Sequence, residues 1–394
     1  MSEFAYKKDG TKEYLTFSQN QSFLLESGKT FGPITICFET YGQLNADRNN
    51  CILITHALTG DSHVASHDEL DVPGWWEDFV GPSKIFDTKK YFIVCSNILG
   101  GCCGSTGPSS INPETNKPYG INFPIITVKD IVNAQRKIFD YFNIDHIPAV
   151  VGGSMGGLQS LQWSVSYPNF MDGIINLAAP LNLSTEAVGI NHIMRKSIMW
   201  DPNWNNGDYY GLDLPANGLS VARMIAMLTY QTRDLMNKKF GRRTKSNIGD
   251  FFSSFDAEFE IDSYLSYQGE KLVQRFDANS YLYFTRAMDL FDLRNEYGSY
   301  MKALSRIHAK FLLVAISSDT LFNISELRKA RDILKLNGVN LEYVEIQSDY
   351  GHDSFLVEVD KYTNCISNFL SELNYAINRE KSSEEFEYST GNVQ

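Results

Sequence analysis

The sequence predicts an α/β protein: a mostly parallel sheet flanked by helices, with an all-helical insertion ahead of its last strands. Three observations carry that prediction. Short, near-continuously apolar runs recur along the chain. Helix-length amphipathic stretches alternate with several of them. One long segment then breaks the alternation with helical patterns alone. A strand buried on both faces loses the in–out alternation of a half-exposed strand, so apolar runs of this kind read as the interior of a parallel sheet.

The candidate strands, in order, are Ile34–Glu39, Cys51–Thr55, Tyr91–Cys95, Ala149–Val151, Gly173–Ala178, Phe311–Ile316 and Leu341–Ile346. Val128–Phe142, Gly156–Tyr167, Ser325–Leu336 and Ser354–Asn374 carry apolar stripes at helical spacing. Between about Leu181 and Arg306 no buried strand is visible, and Leu219–Thr232, Ile261–Phe276 and Asn279–Leu290 read as helices. Such an insertion caps the C-terminal edge of the sheet, where ligands bind in open α/β folds. The expected division is an α/β core over 1–180 and 307–378, a helical lid over 181–306, and a Ser- and Glu-rich tail, 379–394, that frays.

Composition excludes several classes of function. The 394 residues include 35 Lys+Arg and 47 Asp+Glu, a net charge of −12. An acidic chain repels phosphate backbones, so no nucleic-acid partner is expected. No apolar run approaches the roughly 18 residues that span a bilayer, and the polar N-terminus shows no export signal. The cysteines (Cys37, Cys51, Cys95, Cys102, Cys103, Cys365) are scattered, several inside apolar runs, as reduced core thiols of a cytoplasmic protein are. His63 and His67, near Asp61, Asp68 and Asp71, match no recognised zinc spacing, so no metal is expected.

The strongest chemical signal is Gly152-Gly153-Ser154-Met155-Gly156, a G-x-S-x-G directly between an apolar strand and a helical pattern. That context marks a nucleophile elbow, a strained turn that thrusts the serine hydroxyl outward at a helix N-terminus. Serine needs a base, and the base needs an orienting carboxylate. In this topology they follow in the order Ser, acid, His. His192 falls in the insertion and His308 precedes a strand, whereas His352 lies in a loop after the last candidate strand. Asp319 closes the strand before it, although an Asp there also suits a helix N-cap. The triad read from the sequence is therefore Ser154, Asp319 and His352. The oxyanion hole is assigned to the backbone N–H groups of Met155, after the nucleophile, and Leu58, in the loop after Cys51–Thr55. These residues alone leave open an acyltransferase, a hydrolase passing the acyl group to water, and a non-catalytic relative of the fold.

The chain also resembles a known family. His56–Val64 (HALTGDSHV), Pro73-Gly74-Trp75-Trp76, Gly81-Pro82-Ser83-Lys84 with Asp87-Thr88, and Asn97–Ser110 (NILGGCCGSTGPSS) are similar to segments of homoserine O-acetyltransferases. So are Pro118-Tyr119-Gly120, Gly152–Gln159, Ala222-Arg223-Met224-Ile225, Lys239-Phe240-Gly241-Arg242 and Gly351-His352-Asp353, in order from about Ile34 to about Leu370. The resemblance implies an α/β-hydrolase fold with a helical lid and a homodimer formed through that lid. It implies transfer of acetyl from acetyl-CoA, a co-substrate rather than a bound cofactor, to L-homoserine in methionine synthesis. By motif match Arg223 and Asp353 would bind the acceptor, which suits a zwitterion. Ser83, Cys103 and Asn323 stand where relatives often carry Gly, another residue and Pro. Succinyl-transferring relatives tend to carry a Trp-Arg pair directly after the triad acid; here Thr320-Leu321-Phe322 follows Asp319, which favours an acetyl donor over homoserine or serine O-succinyl transfer. The basic cluster Arg233, Lys238, Lys239, Arg242, Arg243 and Lys245 reads as a solvated helix end, with attraction of CoA phosphates as the functional alternative.

Overall fold

The computed structural model describes residues 3–373, so the expected fraying of 379–394 lies outside the described residues. Nine strands form one sheet: β1 (Ala5–Asp9), β2 (Lys12–Phe17), β3 (Ile34–Tyr41), β4 (Cys51–Thr55), β5 (Phe92–Ser96), β6 (Ile147–Gly153), β7 (Met171–Leu177), β8 (Lys310–Ile316) and β9 (Leu341–Ile346). Their spatial order is β1-β2-β3-β5-β4-β6-β7-β8-β9. The first three strands pair antiparallel and β3 meets β5 antiparallel; every pairing from β5 to β9 is parallel.

Every residue of β4, β5 and β6 is buried, because helices cover both faces. Alternation divides the core in two: Leu53 of β4 and Leu313 of β8 point into one layer, Ile52, Ile54, Leu312 and Val314 into the other. The first layer is closed by α1 (Val128–Phe142) and α2 (Met155–Ser166). A capping box starts α1, with the Thr127 hydroxyl and the Asp130 carboxylate each accepting from the other's backbone N–H, and left-handed Asn143 ends it. Trp163 of α2 packs between Phe139 and Phe170 and donates its indole N–H to Gln135 at 2.8 Å. The Gln135 amide donates in turn to Gln159 at 2.8 Å.

Between β7 and β8 come the insertion helices: α3 (Thr185–Met199), α4 (Ala216–Tyr230), α5 (Arg233–Lys239), α6 (Glu260–Val273) and α7 (Ala278–Leu290). Two short helices, α8 (Leu293–Tyr297) and α9 (Tyr300–Leu304), return the chain to the sheet. Helices α3 and α7 are locked by a buried Arg195–Asp289 ion pair at 2.6 Å, and Asn191 also donates to Asp289. Beyond β8, α10 (Ile324–Leu336) leads to β9.

Several elements differ from the sequence reading, the short helices α5, α8 and α9 among them. The β1–β2 hairpin and α3 were not among the expected elements. All five residues of β1 are exposed, so it offers no apolar pattern to read. The helix expected over Ser354–Asn374 is interrupted: α11 covers Ser354–Val357 and a second helix, α12, covers 359–373 of the described chain. Glu358 makes the break by turning its carboxylate back to accept from Ser354 and Ser348.

Trp163→Ala removes a fully buried indole and the donor that holds Gln135. Urea unfolding is expected to show a loss of about 3–5 kcal/mol, in the range of large-to-small core substitutions.

Candidate active site

The parallel strands β6, β8 and β9 all end at the same edge of the sheet, so the loops that leave them converge. Ser154 stands between β6 and α2 with φ 56° and ψ −124°, a conformation that L-residues hold only under constraint. The constraints are visible. The Ser154 N–H donates to the Leu177 carbonyl at 3.0 Å. The turn packs against the end of β4, where a Cβ on Gly152 would lie 2.2 Å from the Thr55 hydroxyl and one on Gly156 would lie 2.1 Å from the Thr55 carbonyl oxygen. Only glycine permits that approach.

His352 and Asp319 meet Ser154 in line. His352 Nε2 lies 2.7 Å from Ser154 Oγ, and Nδ1 lies 2.6 Å from Asp319 Oδ2; all three residues are buried. The other carboxylate oxygen of Asp319 accepts from the N–H groups of Leu321 and Phe322, both at 2.9 Å. Asp319 thus faces His352, and the N-cap of α10 is Asn323, whose side chain accepts from Ser325. With a carboxylate at Nδ1, that nitrogen carries the proton and Nε2 is left to accept from the serine hydroxyl. Burial lowers the imidazole pKa, but the Asp319 charge and hydrogen bond outweigh it and the net direction is upward from 6.5.

The oxyanion candidates sit side by side for a topological reason. Thr55 pairs with Gly152 in adjacent parallel strands, so the turn after β4 and the elbow after β6 leave the sheet together. Residues Ala57–Gly60 form a turn closed by the Gly60 N–H on the Ala57 carbonyl at 3.0 Å. The Leu58 N–H has no acceptor among the described residues, and Met155 opens α2, where the first N–H groups have no intrahelical partner.

Arg223, on α4, stacks its guanidinium 5.6 Å from the Tyr230 ring centre, and Tyr230 faces His352 with centroids 5.8 Å apart. Asp353 follows His352 in a short 3-10 turn. Burial pushes its carboxyl above the usual carboxylate value, opposed by the charges of His352 and Arg223 and by Gln231. Arg223 and Asp353 are therefore a cation and an anion within electrostatic reach of each other beside the triad. The end of α4 is seated on the His352 loop: Thr232 donates to the Asp349 carbonyl at 2.6 Å.

Sequence reasoning missed Glu39, Gln159 and Arg275. Glu39, on β3, is fully buried and gathers His63 Nδ1 and His67 Nε2, each 2.9 Å from Oε2, while Ser62 donates to Oε1. Burial alone would raise its pKa, but donors from His67, His63 and Ser62 hold it down to about 2. His63 Nε2 faces the Val72 carbonyl at 2.7 Å, so both of its nitrogens face acceptors, which favours the protonated ring. The net direction of its pKa is upward. Together Glu39, His63 and His67 offer one carboxylate oxygen and two ring nitrogens within 4.8 Å of one another, a grouping that could hold a metal ion. Gln159 donates to the His56 carbonyl at 3.1 Å, and Arg275 to the Thr59 carbonyl at 2.8 Å.

A serine elbow on a mostly parallel sheet, with acid and base delivered after the following strands, defines the α/β-hydrolase class, and the family model of that fold matches residues 50–359. Among solved structures, the homoserine O-acetyltransferase of Bacillus anthracis superposes with a TM-score of 0.85 at 27% identity, covering 94% of this chain and 98% of that one. A crystallised esterase superposes with a TM-score of 0.83 at 29% identity over 91% of this chain and 99% of its own. Two relatives named homoserine O-acetyltransferase are closer in sequence. That of Deferribacter desulfuricans is 50% identical over 365 residues, 92% of this chain and 95% of the relative; that of Haemophilus influenzae is 48% identical over 351 residues, 89% and 96%. The chain belongs to the homoserine O-acetyltransferase family.

Asp319→Asn removes the charge that raises the His352 pKa and frees the wrong tautomer. The expected loss in kcat is of the order of 10⁴. The acid limb of the pH–rate profile, set by protonation of His352, should move to lower pH in the variant, because burial then dominates. Stability has the opposite sign. A folded-state pKa above the unfolded ~6.5 contributes stabilisation that is complete below ~6.5 and fades as pH rises through the folded value. Paired pH–rate and pH–melting curves of the two proteins check both limbs.

Proposed function

We propose that this enzyme moves the acetyl group of acetyl-CoA to the side-chain hydroxyl of L-homoserine, in two half-reactions on Ser154, as a step of methionine synthesis. The observation that carries this reading is the unbroken line Ser154–His352–Asp319 in a chain half-identical to named homoserine O-acetyltransferases. In the first half-reaction His352 Nε2 takes the hydroxyl proton as Ser154 Oγ attacks the thioester carbonyl. The Leu58 and Met155 N–H groups receive the negative oxygen. The C–S bond breaks, and the CoA thiolate leaves with the proton from His352. In the second, His352 takes the proton of the homoserine hydroxyl, which attacks the acetyl carbonyl; the ester bond to Ser154 breaks and Oγ regains a proton. Arg223 faces the acceptor's carboxylate and Asp353 its ammonium.

An acetyl donor suits the residues after Asp319. Leu321 has no charge to offer a succinyl carboxylate, and the next cation along the chain, Arg328, is committed to Glu345 by two 2.8 Å contacts. Burying an unpaired carboxylate beside the acyl-enzyme would cost several kcal/mol. The reaction requires no resident cofactor. The second reading, a hydrolase with the same triad, is favoured by the likeness to an esterase. The six free cysteines support a reducing, cytoplasmic setting, and no helix among the described residues is long and apolar enough to cross a membrane. A lid formed by 181–306 also supports a homodimer, because Ile193, Trp200, Leu212, Leu214 and Leu228 stand exposed on it.

Intact-mass measurement after acetyl-CoA alone is expected to show one acetyl group, absent in Ser154→Ala, with about one equivalent of CoA released, and CoA should accumulate beyond that only when homoserine is added. Steady CoA release without homoserine would favour the hydrolase, and a higher kcat/KM with succinyl-CoA would overturn the donor. Light scattering should give twice the chain mass at micromolar concentration, and Trp200→Glu should shift the population toward monomer.

A further inference from the structure

The turn that carries Leu58 is held from two directions. From the core, Gln159 of α2 donates to the His56 carbonyl just before the turn, at 3.1 Å. From the insertion, Arg275 donates Nη1 to the Thr59 carbonyl, one residue beyond Leu58, at 2.8 Å. Arg275 lies in the turn between α6 and α7, and that turn is itself anchored. The Arg275 and Phe276 N–H groups both donate to the Leu272 carbonyl, and the Asp277 N–H reaches Cys102 Sγ at 3.4 Å.

Arg275 is not spent on an ion pair. Among the described residues it forms no ion pair, and its guanidinium donates to the Thr59 carbonyl. The charged and titratable groups around it are Arg223, Asp61, Cys102 and Cys103. A guanidinium aimed at one backbone carbonyl fixes the plane of that peptide, and with it the direction of the turn that presents the neighbouring N–H.

We propose that Arg275 is a positioning residue for acylation: from the insertion it clamps the Thr59 peptide so that the Leu58 N–H points at the oxyanion. This rests on the assignment of Leu58 as an oxyanion donor. Removing one such donor lowers kcat by about 10²–10³, and misaligning one costs part of that.

The test uses the full chain and two acyl donors, acetyl-CoA and p-nitrophenyl acetate, the second requiring neither CoA nor homoserine. Arg275→Ala is expected to slow formation of acetyl-Ser154 from both donors by about tenfold with KM unchanged. Added guanidinium should restore part of the rate, and Arg275→Lys should fall between the two, since an ammonium donates without the planar fork. A raised KM for acetyl-CoA or homoserine with an unchanged acylation rate would make Arg275 a substrate-binding residue and overturn the proposal. A slow variant that guanidinium does not rescue, with a lowered melting temperature, would overturn it in favour of a purely structural role. Failure of the acetyltransferase reading shows itself separately, as an unmodified enzyme that acetyl-CoA does not acetylate while p-nitrophenyl acetate still does.

Discussion

Helix α2 runs back against the end of β4 because Gly152 and Gly156 have no side chains. A Cβ on Gly156 would overlap the Thr55 carbonyl oxygen, and one on Gly152 the Thr55 hydroxyl. That hydroxyl instead donates toward the carbonyls of Val151 and Gly156 at 3.0 and 2.8 Å, stitching strand, turn and helix to one side chain. The close approach forces the positive φ of Ser154, brings the helix N-terminus up to the nucleophile, and sets the turn after β4 beside the elbow. Strain at the serine is tolerable because the surrounding contacts over-determine it. Relax the contact at Thr55, and Ser154 and the two candidate oxyanion N–H groups lose their common reference.

Acid and base are placed by different means. Parallel pairing of β8 with β9 brings the two loops to the same edge, but aiming the side chains is local work. Asp319 is aimed by two backbone N–H groups, and His352 is enclosed by the edges of Phe322 and Phe355. The interruption at Glu358 separates the short α11, which carries Phe355, from the longer helix behind it. Asp319 and Glu39 make an instructive contrast. Both are buried carboxylates holding imidazole, yet Glu39 shares one oxygen between two histidines, one of which spends its second nitrogen on the Val72 carbonyl, whereas Asp319 holds one ring by one nitrogen and leaves the other facing a hydroxyl. The first arrangement ties a loop down; the second has proton-transfer geometry.

The seven candidate strands all occur, with boundaries shifted by at most two residues, and α1 coincides with its expected span. Ser154, Asp319 and His352 were legible because chain order and strand context are local properties of the sequence. Other parts depend on packing that no local pattern records. Glu39 reads as an ordinary residue of a mixed strand, and only the fold brings it to His63 and His67. Gln159 lies within the elbow helix, where its spacing signals nothing beyond a helical position. The sequence pattern places Arg275 inside a helix over Ile261–Phe276, but α6 stops at Val273 and leaves it in a turn. The exposed β1 joins the sheet by antiparallel pairing with β2 and by polar contacts such as Tyr6 donating to Glu13, none of which an apolar pattern records.

The likeness to an esterase sharpens what the insertion must contribute. Sheet, elbow and triad serve water and an alcohol equally as acceptor, so the choice between them cannot come from those parts. The insertion touches the site at several places, among them Thr232, between α4 and α5, on the His352 loop, Arg275 on the turn after β4, and the Asp277 N–H on Cys102 of the glycine-rich loop. Through α4 it also brings Arg223 within electrostatic reach of Asp353, opposite charges that the proposed amino-acid acceptor would use and water would not. An acyl-enzyme survives long enough to meet a dilute acceptor only if competing water is kept away. Under the proposed function, an insertion that places Arg223 beside the triad joins acceptor recognition and exclusion of water in one structural property. A loosened insertion would then favour hydrolysis and weaken homoserine binding together.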